Sequence, residues 1–353
     1  MKALVYHGNK DIRLENREKP IPELNEALIK IKYTSLCATD IEEWQYGPLW
    51  IQSETPNLLS GKMAPLVMGH EIGGEVVDVL NPKNRNFIGK RVAINNILVC
   101  GICYWCKSGH HAVCPSMAVA GLSADGGLQE YMTWPVTHLV PVPNNVLDKH
   151  ISLSEPTTVA VHGVRRSNIK PGDKAAVVGC GTIGLLTLQV LIASGVEVIA
   201  LDIKEENLKL AQIFGAKEVI KVVPNDDSLT EKILQFTNGI GADYVFETAG
   251  AERTPEIAIN IAKRGGTIVL LGIYTRKPKF DFNQIVGLEK TIIGSVASSI
   301  NDMSFAVKMI GNNKINVDPL ISSTIKLSNV IENGFAKMLH KDKNIYRILV
   351  DPS

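Results

Sequence analysis

The sequence predicts an α/β protein in which a mostly β domain precedes a doubly wound parallel sheet. Two textures carry this reading. The first 150 or so residues hold short β-type runs separated by Gly, Pro and Asn. From about Lys174, short apolar strands alternate with helix-length apolar patterns joined by Gly-bearing turns, the rhythm of a parallel sheet with helices on its faces. Length agrees, since 353 residues point to two domains.

In chain order, Ala27–Tyr33, Gly74–Leu80 and Arg91–Ile94 are strands of an antiparallel or barrel-like domain. AAVVG is then a short buried strand, and TIGLLTLQVLIASG has the length and apolarity of a core helix. EVIALD is a second strand, and a helix runs from Glu205 to Phe214. ADYVFETAG, the helix-like PEIAINIAK and the strand GTIVLLG continue the alternation. The last fifty or so residues break it and are expected to return to the first domain or cover it. The chain has no low-complexity segment and no internal repeat.

Composition excludes several classes. Hydrophobic residues make up 45% and charged residues 21%, enough for an ordinary core. With 37 basic against 36 acidic residues the net charge is +1, so nothing steers the whole chain to nucleic acid or an anionic membrane. MKALVYHGNKDIRL lacks an apolar secretory core, and no apolar run is long enough to span a bilayer. A cytoplasmic location follows as the expectation. In a reducing compartment clustered cysteines are metal ligands before they are disulfides.

Gly179-Cys180-Gly181-Thr182-Ile183-Gly184 is a GxGxxG between a strand and a helix, and Asp202 ends the next strand 23 residues after Gly179. A bare GxGxxG is equally an ordinary strand–helix turn. The order and spacing make it a Rossmann dinucleotide fingerprint. The first glycine permits the turn, the second admits the pyrophosphate, and the third lets helix and strand pack closely. The helix N-terminus offers unpaired N–H groups to the phosphates. Asp202 is expected to accept from the adenosine ribose and to repel a 2′-phosphate, favouring NAD over NADP, although Lys204 nearby could blunt that preference. Thr248-Ala249-Gly250 and Leu271-Gly272-Ile273 fall where strand ends face the cofactor crevice, and are either partial cofactor contacts or plain turns.

Two sets of residues have metal-ligand chemistry. Cys100, Cys103, Cys106 and Cys114 are spaced C-x2-C-x2-C-x7-C, and four thiolates complete a tetrahedral zinc shell with no open position. His110 and His111 lie inside the cluster but are not needed. A nucleic-acid-binding zinc ribbon would gather basic residues here, yet 100–114 has one Lys and no Arg. Cys37, His70, Glu71 and Glu155 are also plausible ligands, and three protein ligands plus a water make a catalytic site. Their spacing alone does not bring them together.

CATD at 37–40, GHEIGGEV at 69–76, the four-cysteine cluster, EP at 155–156 and the GCGTIG-to-Asp202 unit occur in one order over essentially the whole chain. In these the chain resembles the zinc-dependent medium-chain alcohol dehydrogenase family. YGPLWIQSETPNLLSGKMAPLVMGHE, AGLSADGGLQEY and VGLEKTIIGSV resemble its polyol branch, especially 2,3-butanediol dehydrogenases, and fit sorbitol and threonine dehydrogenases less well. The resemblance implies a GroES-like catalytic domain over 1–155 and 295–353 and a Rossmann NAD-binding domain over 156–294. It implies two zinc ions per chain and NAD(H), with a small alcohol or diol as substrate and a homodimer or homotetramer as the assembly. Cys37, His70 and Glu71 match catalytic zinc ligands, and Glu155 matches a carboxylate that binds the zinc directly or through its water. Thr39 matches a proton-relaying hydroxyl, and Asp40 is the candidate support for His70. The four clustered cysteines match a structural zinc site.

The chain departs from the family pattern at two positions. Glu42 stands where members often carry a relay His, so the proton leaves through Glu42, water or the cofactor ribose. Leu80 stands where a glycine is usual, nine residues after Glu71. Tyr46, Trp50 and Ile51 either line the substrate cleft or pack the core.

Overall fold

A computed structural model describes residues 1–223, 228–339 and 345–353. The chain divides into two compact units, 1–158 with 298–312 and 317–353, and 159–297 with 313–316.

In the first unit Glu26–Ser35 is the central strand of a seven-stranded sheet. It pairs antiparallel with Glu71–Val79, Tyr131–Pro135 and the late strand Arg347–Asp351. Its sequence, EALIKIKYTS, buries Ala27, Leu28, Ile29 and Ile31, so one strand feeds the core of the sheet. A smaller sheet, Asp11–Asn16, Lys2–Gly8 and Leu66–Val67, packs Leu4, Val5 and Tyr6 against Leu66, Met68, Ile348 and Val350. The last residues thus return to the first unit, with Leu349 opposite Ser35 and the Leu36 N–H donating to Ile348 O at 2.9 Å.

The second unit is a six-stranded parallel sheet. Its spatial order is Glu218–Lys221, Glu197–Asp202, Lys174–Val178, Ala242–Glu247, Ala262–Leu270 and Thr291–Gly294. In chain order that is 3-2-1-4-5-6, with the reversal between Lys174–Val178 and Ala242–Glu247. Ala175, Ala176 and Val177 have no exposed surface, as a strand covered on both faces requires. The helix Thr182–Ala193 is buried along nearly its whole length, which explains an apolar pattern with no polar face. The expected helix from Glu205 ends at Ile213 with Phe214 as its cap. Residues 313–316 join this unit because the Asn316 N–H donates to Gln189 Oε1 at 2.7 Å and Gln189 Nε2 returns a bond to Asn316 O at 3.2 Å. Among the described residues no helix is long and apolar enough to cross a membrane.

Candidate active site and metal centres

The residue before the helix Ala38–Tyr46 is Cys37, whose own N–H is taken by Asp40 Oδ2 at 2.9 Å. That cap fixes the thiol at the helix mouth. Thr39, one residue into the helix, has its hydroxyl 3.8 Å from Cys37 Sγ. His70 and Glu71 arrive at the start of the strand Glu71–Val79. The ligand atoms of Cys37, His70 and Glu71 all lie within 4.8 Å of one another. Glu155, on the helix Ser154–Ser167, is outside that trio but tied to it. The Asn96 amide donates to both Glu155 Oε1 and the His70 carbonyl, each at 3.1 Å.

Electrostatics show what this pocket lacks. Asp40 Oδ1, His70 Nδ1 and Glu71 Oε1 are buried without a hydrogen-bond partner. Asp40 Oδ1 does stand 3.3 Å from His70 Nδ1, an ion-pair distance without hydrogen-bond alignment. Burial lowers the proton affinity of His70, but Asp40 and Cys37 together raise it well above the ordinary value. Burial, with the nearby Glu71 charge, likewise pushes Glu155 up to about 7, although His70, Asn96 and Arg347 pull the other way. A thiol, an imidazole and three carboxylates that together attract positive charge fit a cation such as zinc.

Arg347 was not anticipated from sequence. It comes from the strand Arg347–Asp351, with Nη2 2.8 Å from Glu71 Oε1 and Nε donating to Oε2 at 2.9 Å. Ser35 Oγ donates to the same Oε2. Glu71 is therefore already neutralised, while Oε1 keeps no aligned donor. No local motif marks Arg347; an isolated Arg in NIYRILVD, a run otherwise reading as an apolar strand, was the only available signal.

The four clustered cysteines converge as well. Cys100 Sγ is 3.9 Å from Cys106 Sγ and 3.6 Å from Cys114 Sγ, and all six cysteines are free thiols. Sulfurs about 2.3 Å from a tetrahedral zinc would stand about 3.8 Å apart, whereas a disulfide needs about 2.05 Å. The spacing thus fits zinc. The backbone N–H groups of Ile102 and Cys103 bring the Cys100 thiol down to about 6, toward the thiolate a metal needs. His110 is not among these converging groups, and its Nδ1 pairs with Ser108 Oγ at 3.1 Å.

The fingerprint turn is shaped by contact. Gly179 has φ +93°, and a Cβ there would meet Ala249 Cβ at 2.7 Å. A Cβ on Gly184 would lie 1.8 Å from the Gly179 carbonyl oxygen, so helix and strand pack backbone to backbone. A Cβ on Gly181 would meet nothing, and Gly181 caps the helix without a side-chain bond. That leaves open room at a helix N-terminus, with Thr182 and Ile183 opening its first turn. Asp202 ends its strand in a cleft of about 630 Å³ that Gly179, Ile203, Ala249 and Arg253 also line. Its carboxylate accepts from the Cys180 N–H at 2.6 Å, the Lys204 N–H at 2.7 Å and Asn207 Nδ2 at 3.1 Å. With about four lone-pair sites on a carboxylate, one remains for a ligand hydroxyl. Thr248 donates to the Gly179 carbonyl at 2.6 Å, and the Leu271 and Gly272 N–H groups donate to the Glu247 carbonyl. Both later turns, the second ending in Ile273, thus sit at the strand ends beside the fingerprint.

The remaining expectations divide. Ile51 is core, 2% exposed, whereas Tyr46, at the end of the helix Ala38–Tyr46, stays 67% exposed, and Trp50, on a loop that Glu43 anchors through the Leu49 and Trp50 N–H groups, stays 51% exposed. Glu42 is half-buried, which raises its carboxyl, but no hydrogen bond joins it to Thr39. Leu80 is exposed and has no left-handed backbone, so the absent glycine costs nothing.

One unit with a parallel sheet and a dinucleotide turn, and another with two clusters of metal-binding side chains, define a metal-dependent dehydrogenase. The zinc-binding dehydrogenase family matches residues 182–312, and the alcohol dehydrogenase GroES-like domain matches residues 23–144. The (R,R)-butanediol dehydrogenase of Bacillus subtilis (strain 168) is 33% identical over 359 residues, covering 100% of both chains. The L-threonine 3-dehydrogenase of Pyrococcus furiosus is 31% identical, covering 90% of this chain and 89% of its own. Among solved structures, 2R,3R-butanediol dehydrogenase from Bacillus subtilis aligns with a TM-score of 0.91 and 32% identity over 100% of this chain and 99% of its own. A short chain alcohol dehydrogenase from E. coli CFT073, complexed with NADH, aligns with a TM-score of 0.88 and 26% identity over 100% of this chain and 99% of its own. The chain belongs to the zinc-binding dehydrogenase family, with a GroES-like domain joined to a Rossmann-type sheet. It is a zinc-dependent oxidoreductase.

Proposed function

We propose that this enzyme transfers hydride between a secondary alcohol or vicinal diol, of the 2,3-butanediol kind, and NAD(H), giving the ketone. The observation that carries the reading is the buried, cation-seeking cluster of Cys37, His70 and Glu71 with Thr39 at its edge. Cys37, His70, Glu71 and Glu155 would hold the catalytic zinc, and Cys100, Cys103, Cys106 and Cys114 a structural one. When bound, the catalytic ion supplies a Lewis acid that favours an ionised hydroxyl, and NAD(H) supplies the hydride chemistry.

The chain's own residues do the rest. Thr39 accepts the proton of the substrate hydroxyl through its Oγ1 and passes it toward solvent. Asp40 faces His70 Nδ1 and fixes the ring's orientation. Arg347 balances Glu71, which leaves Cys37, Asp40 and Glu155 to attract the cation. In the second unit, the NAD-binding one on this reading, the first turn of the helix after Gly181 takes the pyrophosphate. Asp202 takes the ribose hydroxyl, and its charge disfavours a 2′-phosphate. The first unit is then the catalytic one.

The same reading makes the assembly a homodimer or homotetramer in the cytoplasm. Its support is the edge strand Thr291–Gly294, paired on one side only among the described residues, with Ile292 exposed in it and exposed Val286 and Val296 near its ends. Light scattering of the purified chain tests the assembly. Turnover of butanediol, acetoin, sorbitol and threonine with NAD and NADP tests the chemistry. The highest kcat/KM is expected for the diol–acetoin pair with NAD, and a large preference for threonine or for NADP would displace the proposal.

A further inference from the structure

The geometry points to Glu247 as a positioning residue for the dinucleotide, acting with Tyr274 to hold three strand-end turns in register. Resting on the dinucleotide reading above, it adds a residue pair that the fingerprint does not contain.

Glu247 ends the strand Ala242–Glu247, beside the reversal in strand order where open parallel sheets bind ligands. It is fully buried. Its Oε1 accepts from the Ala249 N–H at 2.9 Å, the Gly250 N–H at 2.9 Å and the Thr254 hydroxyl at 2.7 Å. Its Oε2 accepts from the Tyr274 hydroxyl. Burial, then the bond to Glu247 and its charge, raises the Tyr274 pKa, which keeps the hydroxyl a donor. Among the described residues no Lys or Arg forms an ion pair with Glu247. An unpaired buried carboxylate is expensive, and an apolar side chain would often serve stability better.

What the carboxylate achieves is alignment. Through Oε1 it folds Thr248–Gly250 back on its own strand, and through Oε2 it draws in the end of 271–274. The fit leaves no slack. A Cβ on Gly272 would lie 2.5 Å from Glu247 Oε2, and one on Gly250 would lie 2.3 Å from the Ile273 carbonyl oxygen. Thr248 and Ala249 then carry the alignment to Gly179, through the 2.6 Å bond and the close Cβ approach. The carboxylate also occupies the Ala249 and Gly250 N–H groups.

Glu247→Gln keeps the size and loses the charge, whereas Tyr274→Phe removes one hydroxyl. The readouts are NADH fluorescence titration, thermal midpoint, and the split of kcat against the KM for NAD. Losing one hydrogen bond should weaken NADH about fivefold in Tyr274→Phe. Losing charge-assisted bonds should weaken it about 10- to 100-fold in Glu247→Gln. The KM for NAD should rise in parallel, and kcat at saturating NAD should change less than KM. Lower thermal midpoints with unchanged NADH affinity would make the pair purely structural and overturn the inference. If Glu247→Gln does not fold, Tyr274→Phe alone decides. Failure of the unaltered protein to bind NADH would overturn the dinucleotide reading and this one together. Tight binding in the unaltered protein with unchanged binding in Tyr274→Phe would overturn this one only.

Discussion

Arg347 lies along Glu71, Nη2 to Oε1 at 2.8 Å and Nε to Oε2 at 2.9 Å, with both side chains almost wholly out of solvent. Removing one member of a buried pair strands the other and costs about 3–5 kcal/mol. Arg347→Met should lose stability on that scale in urea unfolding and lose zinc from the catalytic site. Arg347→Lys keeps the charge without the planar fork and should fall between it and the unaltered protein. Arg347→Met with an unchanged urea midpoint would show that Glu71 is satisfied in some other way.

The two metal centres should separate by mutation. Metal analysis is expected to find about two zinc ions per chain, one in a closed four-sulfur shell and one in an open site. Cys37→Ser should remove one ion and turnover while NADH binding stays intact. Cys103→Ser should remove the other and chiefly lower the thermal midpoint. A single ion in the unaltered protein would eliminate one of the two centres.

Two glycines of the fingerprint should fail in different ways. Gly184→Ala forces a methyl to 1.8 Å from the Gly179 oxygen, so the unit itself is destabilised. Backbone must move to relieve it, and overpacking of this kind costs about 1–3 kcal/mol or more. Gly181→Ala meets no protein atom. It should leave the thermal midpoint near that of the unaltered protein and weaken NADH, because the methyl fills the space left for phosphate. Calorimetry and NADH titration on both variants check the contrast, and equal thermal losses would contradict it.

Alkaline pH should act through Tyr6. Burial, then the adjacent Glu43 charge, raises its hydroxyl from the ordinary 10.0 to about 12. The folded chain thus holds that proton more tightly than the unfolded chain does. The stabilisation is fully present below pH 10.0 and is lost as pH rises toward about 12. Urea midpoints should therefore fall more steeply across this range in the unaltered protein than in Tyr6→Phe. Parallel slopes would mean that Tyr6 titrates normally.

Much of this architecture was legible because it is local. The GxGxxG, the following strand and Asp202 are fixed by a few turns of chain, and the alternation after Lys174 needs only short-range periodicity. The cysteine cluster is likewise contained in fifteen residues, 100–114. Cys37, His70, Glu71 and Glu155 could be linked only through a family likeness, because a helix cap, a strand start and a second helix from distant parts of the chain supply them. Ser35 and Asn96 had no signal of their own, and Arg347 had only its place as a lone charge in an apolar run, since a residue that merely orients or neutralises a ligand follows no spacing rule. Glu247 was hidden inside a strand that read as plain core. Ile51 and Trp50, adjacent in sequence, took opposite environments because the loop anchored by Glu43 turns between them.

The late strand has one more consequence. Glu71 and Arg347 are 276 positions apart, so the pocket's charge balance is absent until Arg347 itself has been synthesised and its strand has paired in the first unit. A polypeptide lacking Arg347–Asp351 holds an uncompensated Glu71 and loses the strand that pairs with Thr34 and Ser35. Formation of the proposed metal site therefore waits on this late strand, because it carries the charge that balances Glu71.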